Sequence, residues 1–222
     1  MSVRRSASFE ALVGRVARCR RCEEMAYSHV LGAANGALEA RVLIVGEAPG
    51  RLGAARTGVP FSGDRSGDRL ELLLAAAELR RDEVFITNAV LCNPLTTPER
   101  GERRNRRPRV GELRACQPYL EETLAFVAAP IVVALGGAAL EALGRIEPHG
   151  LDRIVREAGI ARPWAGRTLV PLVRPSPRTQ GQRSWEEQRE DWRGLGRLVR
   201  SMEASSPVDC LKDRPLYTIS DL

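Results

Sequence analysis

Four short apolar runs punctuate an otherwise mixed chain. RVLIV (41–45), EVFITNAV (83–90), PIVVAL (130–135) and RTLVPLV (167–173) are nearly continuous and rich in β-branched residues. Runs of this kind predict strands buried on both faces, as in a parallel sheet. Between them, apolar residues recur at helical spacing. The spacing predicts helices over 8–19, about 66–79, 110–128, 136–144 and 185–202. In the third of these the apolar face falls on Leu113, Tyr119 or Leu120, Leu124 and Val127. The fourth is opened and closed by glycine. Strands alternating with helices indicate an α/β fold around a parallel sheet. Such sheets bind ligands at the carboxyl ends of their strands. The loops after Val45, Val90, Leu135 and Val173 are therefore expected to converge on one crevice.

The first of those loops is the anomaly. GEAPGRLGAARTGVPFSGDRSGDRL, residues 46–70, mixes glycines, charges of both signs and one aromatic, Phe61. A connection this long is uncommon in a compact domain and is usually functional. It is no Walker-type phosphate loop, because it lacks GK[ST]. Two other strand-end connections are also unusual: LCNPLTTPERGERRNRRPR (91–109) and RPSPRTQGQRS (174–184), both rich in Pro and Arg.

Composition narrows the picture. The 222 residues, 43% of them hydrophobic, suffice for one full core, and no linker-like stretch divides the chain. One domain over 1–203 is expected, followed by a weakly patterned tail over 204–222. The net charge is +6, and Lys212 is the only lysine. Arginine suits bidentate contact with phosphate, yet a merely solvated basic surface would give the same count. The N-terminus MSVRRSASFEALVGRVARC lacks the apolar core and cleavage site of a secretory signal. The uncharged run 124–140 is short for a membrane span and holds Pro130 and Gly136-Gly137. A cytoplasmic protein with no membrane partner is expected.

In that compartment the five cysteines favour a metal or redox role over disulfides. Cys19-x-x-Cys22 alone is a weak signal. With Cys92 and Cys116 it forms a four-thiolate set that suits zinc or an iron–sulfur cluster. The other reading keeps Cys92 and Cys116 as ordinary buried cysteines, and spacing leaves both open. Cys210 reads as a bystander in the tail.

Taken in order, VLIVGEAPG, GVPFSG, TNAVLCNP, ELRACQPYLEETL, IVVALGGAALEALG and LVRPSPR resemble the iron–sulfur uracil-DNA glycosylases of prokaryotes, the family 4 and family 5 type. The resemblance runs from about Cys19 to Arg200. It implies the uracil-DNA glycosylase fold, a three-layer α/β/α sandwich with a central four-stranded parallel sheet. It implies a structural [4Fe–4S] cluster on Cys19, Cys22, Cys92 and Cys116. It implies a monomer whose partner is DNA containing uracil or another deaminated base. The implied reaction is base-excision repair chemistry: hydrolysis of the N-glycosidic bond to leave an abasic site. Strand cleavage is not expected, since no lysine near the motifs offers a Schiff base. The opening loop mixes subtypes, with GEAPG and GVPF like family 4 and GAARTG and FSGDRSG like family 5.

The chemistry sets the demands. The bond lies inside the base stack, so the nucleotide must flip into a pocket. That pocket must read the base edge, stabilise the departing base and the oxocarbenium-like sugar, and admit water. The resemblance implies that Phe61 stacks on the base and that Asn88 reads it, its amide able both to donate and to accept. Gly46, Ala48, Pro49 and Gly50 would bring backbone close to base and sugar. Two carboxylates compete for a role at the sugar or water. Glu47 matches the family 4 motif and is slightly favoured. Asp64 matches the family 5 segment, but it precedes a helix and would equally serve as a cap. Arg174 is the departure, standing where the family has the histidine of HPS. A permanent cation there can stabilise an anionic leaving base. The alternative is a DNA-binding homologue with altered or absent excision. Ser176, Pro177 and Arg178 would form a loop that enters the minor groove. The arginines of 96–109 either touch phosphate or form a solvated loop. His149 reads as a turn residue.

Overall fold

The computed structural model describes residues 3–96, 102–179 and 181–204. Apart from Ala204, which ends a helix, the expected tail lies outside the described residues, Cys210 included. The elements run α1 (Val3–Ala17), β1 (Met25–Ala26), β2 (Val42–Gly46), α2 (Ala54–Thr57), α3 (Arg65–Ala76), β3 (Val84–Asn88), β4 (Asn93–Pro94), α4 (Val110–Phe126), β5 (Ile131–Leu135), α5 (Gly137–Ile146), α6 (Ile154–Glu157), β6 (Arg162–Trp164), β7 (Arg167–Leu172) and α7 (Trp185–Ala204).

The main sheet has the order β3-β2-β5-β7-β6. Its first four strands are parallel, as expected, and β6 adds an antiparallel edge. Every residue of β2, β3 and β5 is buried, which is why these segments read as unbroken apolar runs. Side-chain alternation divides each strand between two cores. Leu43, Val45, Phe85 and Val132 face one side, with Phe9 and Leu12 of α1 and Leu113 and Leu120 of α4. Val42, Ile44, Ile86 and Val133 face the other, with Leu70, Leu73 and Leu74 of α3 and Trp192 and Leu195 of α7. The result is the three-layer α/β/α sandwich.

The elements that the apolar pattern does not show are all short. β6 carries Pro163, which only an edge strand tolerates. Its turn into β7 places Ala165 and Gly166 at φ 47° and 68°. The antiparallel pair β1–β4 has two residues a side, too few for any periodicity.

In the sheet order, β2 lies between β3 and β5. The chain reverses its winding there, and a crevice opens at the carboxyl ends of the strands.

Candidate functional site

The in-register pairing of β2 with β3 sets Gly46 directly opposite Asn88. A Cβ at Gly46 would come within 2.5 Å of Asn88 Oδ1 and 2.9 Å of Phe61 Cε2. Only glycine lets the amide and the ring close over the end of this strand. Phe61 reaches its place with a left-handed φ of 50°, a conformation that costs about 1–3 kcal/mol in a non-glycine residue. Neighbouring contacts hold it. The Arg81 guanidinium donates to Pro60 O at 2.6 Å, and the Thr57 and Ser62 hydroxyls are 2.8 Å apart. Burial lowers the pKa of Arg81. Asn88 is 2% exposed, and its Oδ1 has no hydrogen-bond partner among the described residues. Buried polar atoms are seldom left unpaired in folded proteins, and this acceptor belongs to a side chain that lines the cleft.

Beside this slot, Arg174 and Glu47 form an ion pair at 3.1 Å. Glu47 immediately follows β2, and Arg174 stands just beyond β7. The Arg174 loop is pinned by its own hydrogen bonds. Ser176 N donates to Arg174 O at 2.7 Å. Thr179 Oγ1 donates to the carbonyls of Arg174 and Ser176, both at 2.8 Å. Glu47 through Gly50, Phe61, Asp64, Asn88, Gly136, Arg174 and Ser176 all line one open cleft of about 2570 Å³, solvent included. The strand-end loops thus converge as the sequence pattern implied: Glu47, Ala48, Pro49, Gly50, Phe61, Asp64, Asn88, Arg174 and Ser176 line the cleft, and Gly46 lies against Asn88 and Phe61.

Asp64 has a local job. Its Oδ1 accepts from Ser66 N and Gly67 N, both at 3.0 Å, as the N-cap of α3. Its Oδ2 packs on Gly53, where a Cβ would approach to 2.4 Å. The carboxylate therefore holds two parts of the long loop together. Glu47 has no such engagement with backbone. His149 is also local: it joins Leu140 O at 2.9 Å and the Leu151 amide at 3.0 Å.

Three arginines in the described part of the basic segment are paired with acids. Arg106 forms a two-pronged pair with Glu112, Arg107 meets Glu141 at 2.8 Å, and Arg109 meets Glu24 at 2.6 Å. The segment folds back on β4: Thr96 N donates to Arg104 O and Arg106 N to Pro94 O. This brings Asn105 to the wall of the cleft beside Asn93. Sequence reasoning gave neither asparagine a role: Asn93 sits inside TNAVLCNP, where Asn88 and Cys92 drew the attention, and Asn105 lies in the arginine-rich stretch outside every motif. Residues 97–101 lie outside the described residues.

The four cysteines also meet. The β1–β4 pairing sets the Cys19–Cys22 loop against Cys92, and α4 presents Cys116. All four line a separate open pocket of about 310 Å³, solvent included, together with Met25, Tyr119 and Leu91. Burial pushes the Cys116 thiol up to about 12 and also raises Cys92 and Cys22. Backbone N–H groups of Ser28 and His29 aim at Cys92, and that of Leu91 at Cys116. Donors of this kind favour anionic sulfur. Among the described residues, no three His, Cys, Asp or Glu side chains close in on the position of a single metal ion. No helix among them is long and apolar enough to cross a membrane.

The sequence profile of the Uracil DNA glycosylase superfamily matches residues 33–195. A type-4 uracil-DNA glycosylase of Sulfurisphaera tokodaii is 32% identical over 169 residues, 76% of this chain and 73% of that protein. One from Archaeoglobus fulgidus is 27% identical over 197 residues, 86% of this chain and 93% of that protein. A type-5 uracil-DNA glycosylase of Thermus thermophilus is 41% identical over 118 residues, about half of each chain (47% and 50%). The crystal structure of Pedobacter heparinus SMUG2 shares the fold, with a TM-score of 0.55 and 15% identity over 75% of this chain and 77% of that one.

Proposed function

This chain belongs to the uracil DNA glycosylase superfamily, and on that premise we propose that it is a DNA-repair hydrolase that cuts the N-glycosidic bond of uracil in DNA. The observation that carries the reading is the Gly46–Phe61–Asn88 slot with the Glu47–Arg174 pair beside it. A flipped pyrimidine stacks on Phe61 and gives its N3–H to the unpartnered Asn88 Oδ1, while the amide nitrogen donates to O4. As the bond to C1′ breaks, electrons move onto the base and positive charge develops on the sugar. Arg174 is placed for the first charge, and Glu47 for the second or for the attacking water. The product is free base and an abasic site. Asp64, tied up as a cap, supports the loop.

The alternative of a DNA-binding homologue without excision is not favoured. Arg174 brings a permanent cation to the cleft and pairs with the favoured acid, so it supplies a positive charge for the departing base.

The four cysteines fit an iron–sulfur cluster. They converge on one cavity and receive backbone N–H groups. Cys19, Cys22, Cys92 and Cys116 would hold a [4Fe–4S] group whose contribution is structural, tying α1, the β4 segment and α4 together. The working unit is a monomer of one domain in the cytoplasm. Single-turnover excision on uracil-containing single- and double-stranded oligonucleotides, followed by alkali, tests the activity. Cleavage confined to uracil supports it, and intact DNA with cluster-loaded protein refutes it.

A further inference from the structure

Asn93 stands one residue beyond Cys92 yet lines the base cleft rather than the cysteine cavity. It is 1% exposed. Its Nδ2 donates to Pro49 O at 2.6 Å and to Asn105 Oδ1 at 3.1 Å. Asn105 Oδ1 in turn accepts from Arg51 N at 3.0 Å. One buried amide thus clasps the loop that begins at Glu47 at two points, directly at Pro49 and through Asn105 at Arg51. Two backbone bonds complete the attachment, from Ala89 N to Gly46 O and from Val90 N to Glu47 O. Loop 46–51 is therefore fastened along its length to the segment 88–95 that carries Cys92. Among the described residues Asn93 Oδ1 is itself buried without a partner, as Asn88 Oδ1 is.

We propose that Asn93 is a positioning residue for base excision: with Asn105 it latches the Glu47–Arg51 loop to the cysteine-bearing segment and so fixes the Glu47 carboxylate against the sugar. The proposal rests on the excision reading above. The latch acts on geometry, so its loss lowers the rate of bond breaking and leaves DNA binding in place. A misplacement of about 1 Å in a reacting group costs on the order of 10²-fold in rate.

The experiment compares full-length, cluster-loaded wild type with Asn93→Ala and Asn105→Ala. Iron content, affinity for an undamaged duplex, the single-turnover rate on a uracil duplex and amide hydrogen exchange over 46–51 are measured. Asn93→Ala is expected to lower the rate about 10²-fold with affinity and iron unchanged. Asn105→Ala, at an exposed position that cannot unfold the core, is expected to lower it about fivefold, the worth of one neutral hydrogen bond. In both, the Arg51 amide should exchange faster. Unchanged rates in both variants would overturn the latch. So would a loss in Asn93→Ala that merely tracks lost iron while Asn105→Ala is silent. If wild type itself leaves uracil in place, the excision reading fails instead, and exchange decides the latch: faster exchange at 46–51 supports it, unchanged exchange overturns it.

Discussion

Arg174 and Glu47 meet at 3.1 Å from opposite walls of the cleft, one following β7 and the other following β2. With side chains 38% and 21% exposed, the pair adds at most about 1 kcal/mol to stability. Its placement matters for charge: a cation and an anion stand where a leaving base and a cationic sugar would develop opposite charges. Arg174→Ala is expected to lower single-turnover excision about 10²–10³-fold with a nearly unchanged melting temperature. Arg174→His carries a further signature. Arginine keeps its charge across neutral pH, whereas a histidine with an ordinary pKa of about 6.5 is charged only below it. The variant should therefore lose activity as pH rises from about 6 to 8, while wild type shows no such limb. A flat profile for Arg174→His would remove the guanidinium from the chemistry.

Asn88 separates function from stability. Its Oδ1 is buried with nothing to accept from, so the free protein carries an unfavourable group that the bound base would satisfy. Removing such an atom relieves a desolvation cost of about 1–3 kcal/mol. Asn88→Leu should leave the melting temperature equal or higher and lower the excision rate at least about tenfold, since hydrogen bonds to the base are lost. A lower melting temperature with full activity would show that the amide is structural.

Much of this was legible in the sequence because the relevant signals are local. Ile44, Ile86 and Val133 lie in unbroken apolar runs that only doubly covered strands produce, and the loops after those runs hold the candidate residues. The Cys₄ set and the motif order gave the family. What stayed hidden depends on contacts far apart in sequence. Asn93 and Asn105 become neighbours only because the basic segment folds back onto β4. The pairing of Glu47 with Arg174 depends on strand order, which no run of residues encodes. Asp64 illustrates a real ambiguity: an acid before a helix satisfies a motif and a cap equally well, and here its Oδ1 contacts show the cap.

Glu83 sets an acid limit on stability. Its carboxylate accepts from Arg80 N at 2.8 Å and pairs with Arg41 at 2.5 Å, which reaches α7 through Glu203. The Arg80 N–H and the Arg41 guanidinium together hold it below the usual carboxylate range, against its partial burial. A carboxylate depressed in the folded state stabilises above its unfolded pKa of about 4.3 and loses that contribution as pH falls through the folded value. Glu83→Gln should melt about 2–4 °C below wild type at pH 7, the effect of about 1 kcal/mol in a domain of this size. The gap should narrow as pH drops below about 4. A gap that is constant with pH would assign the effect to packing.

Cys116 tests what the four thiols are for. It is half-buried beside apolar residues, and desolvation pushes its thiol up to about 12. Without metal, such a group is a neutral, weakly packed side chain. With metal, the same burial shields a thiolate cluster from water, and the energy of binding becomes energy of folding. Cys116→Ala should therefore lose bound iron and melt well below wild type, each kcal/mol of lost stability showing as about 2–4 °C. Below the melting point a residual excision rate should survive, because Glu47, Asn88 and Arg174 stand on the main sheet's strand ends and not on the cysteine cavity. Metal analysis of the protein as purified decides between metals. About four irons per chain fits four thiolates, whereas one zinc per chain would put a mononuclear site there. A variant that keeps its metal and its melting temperature would leave Cys116 an ordinary buried cysteine and remove the cluster from the fold.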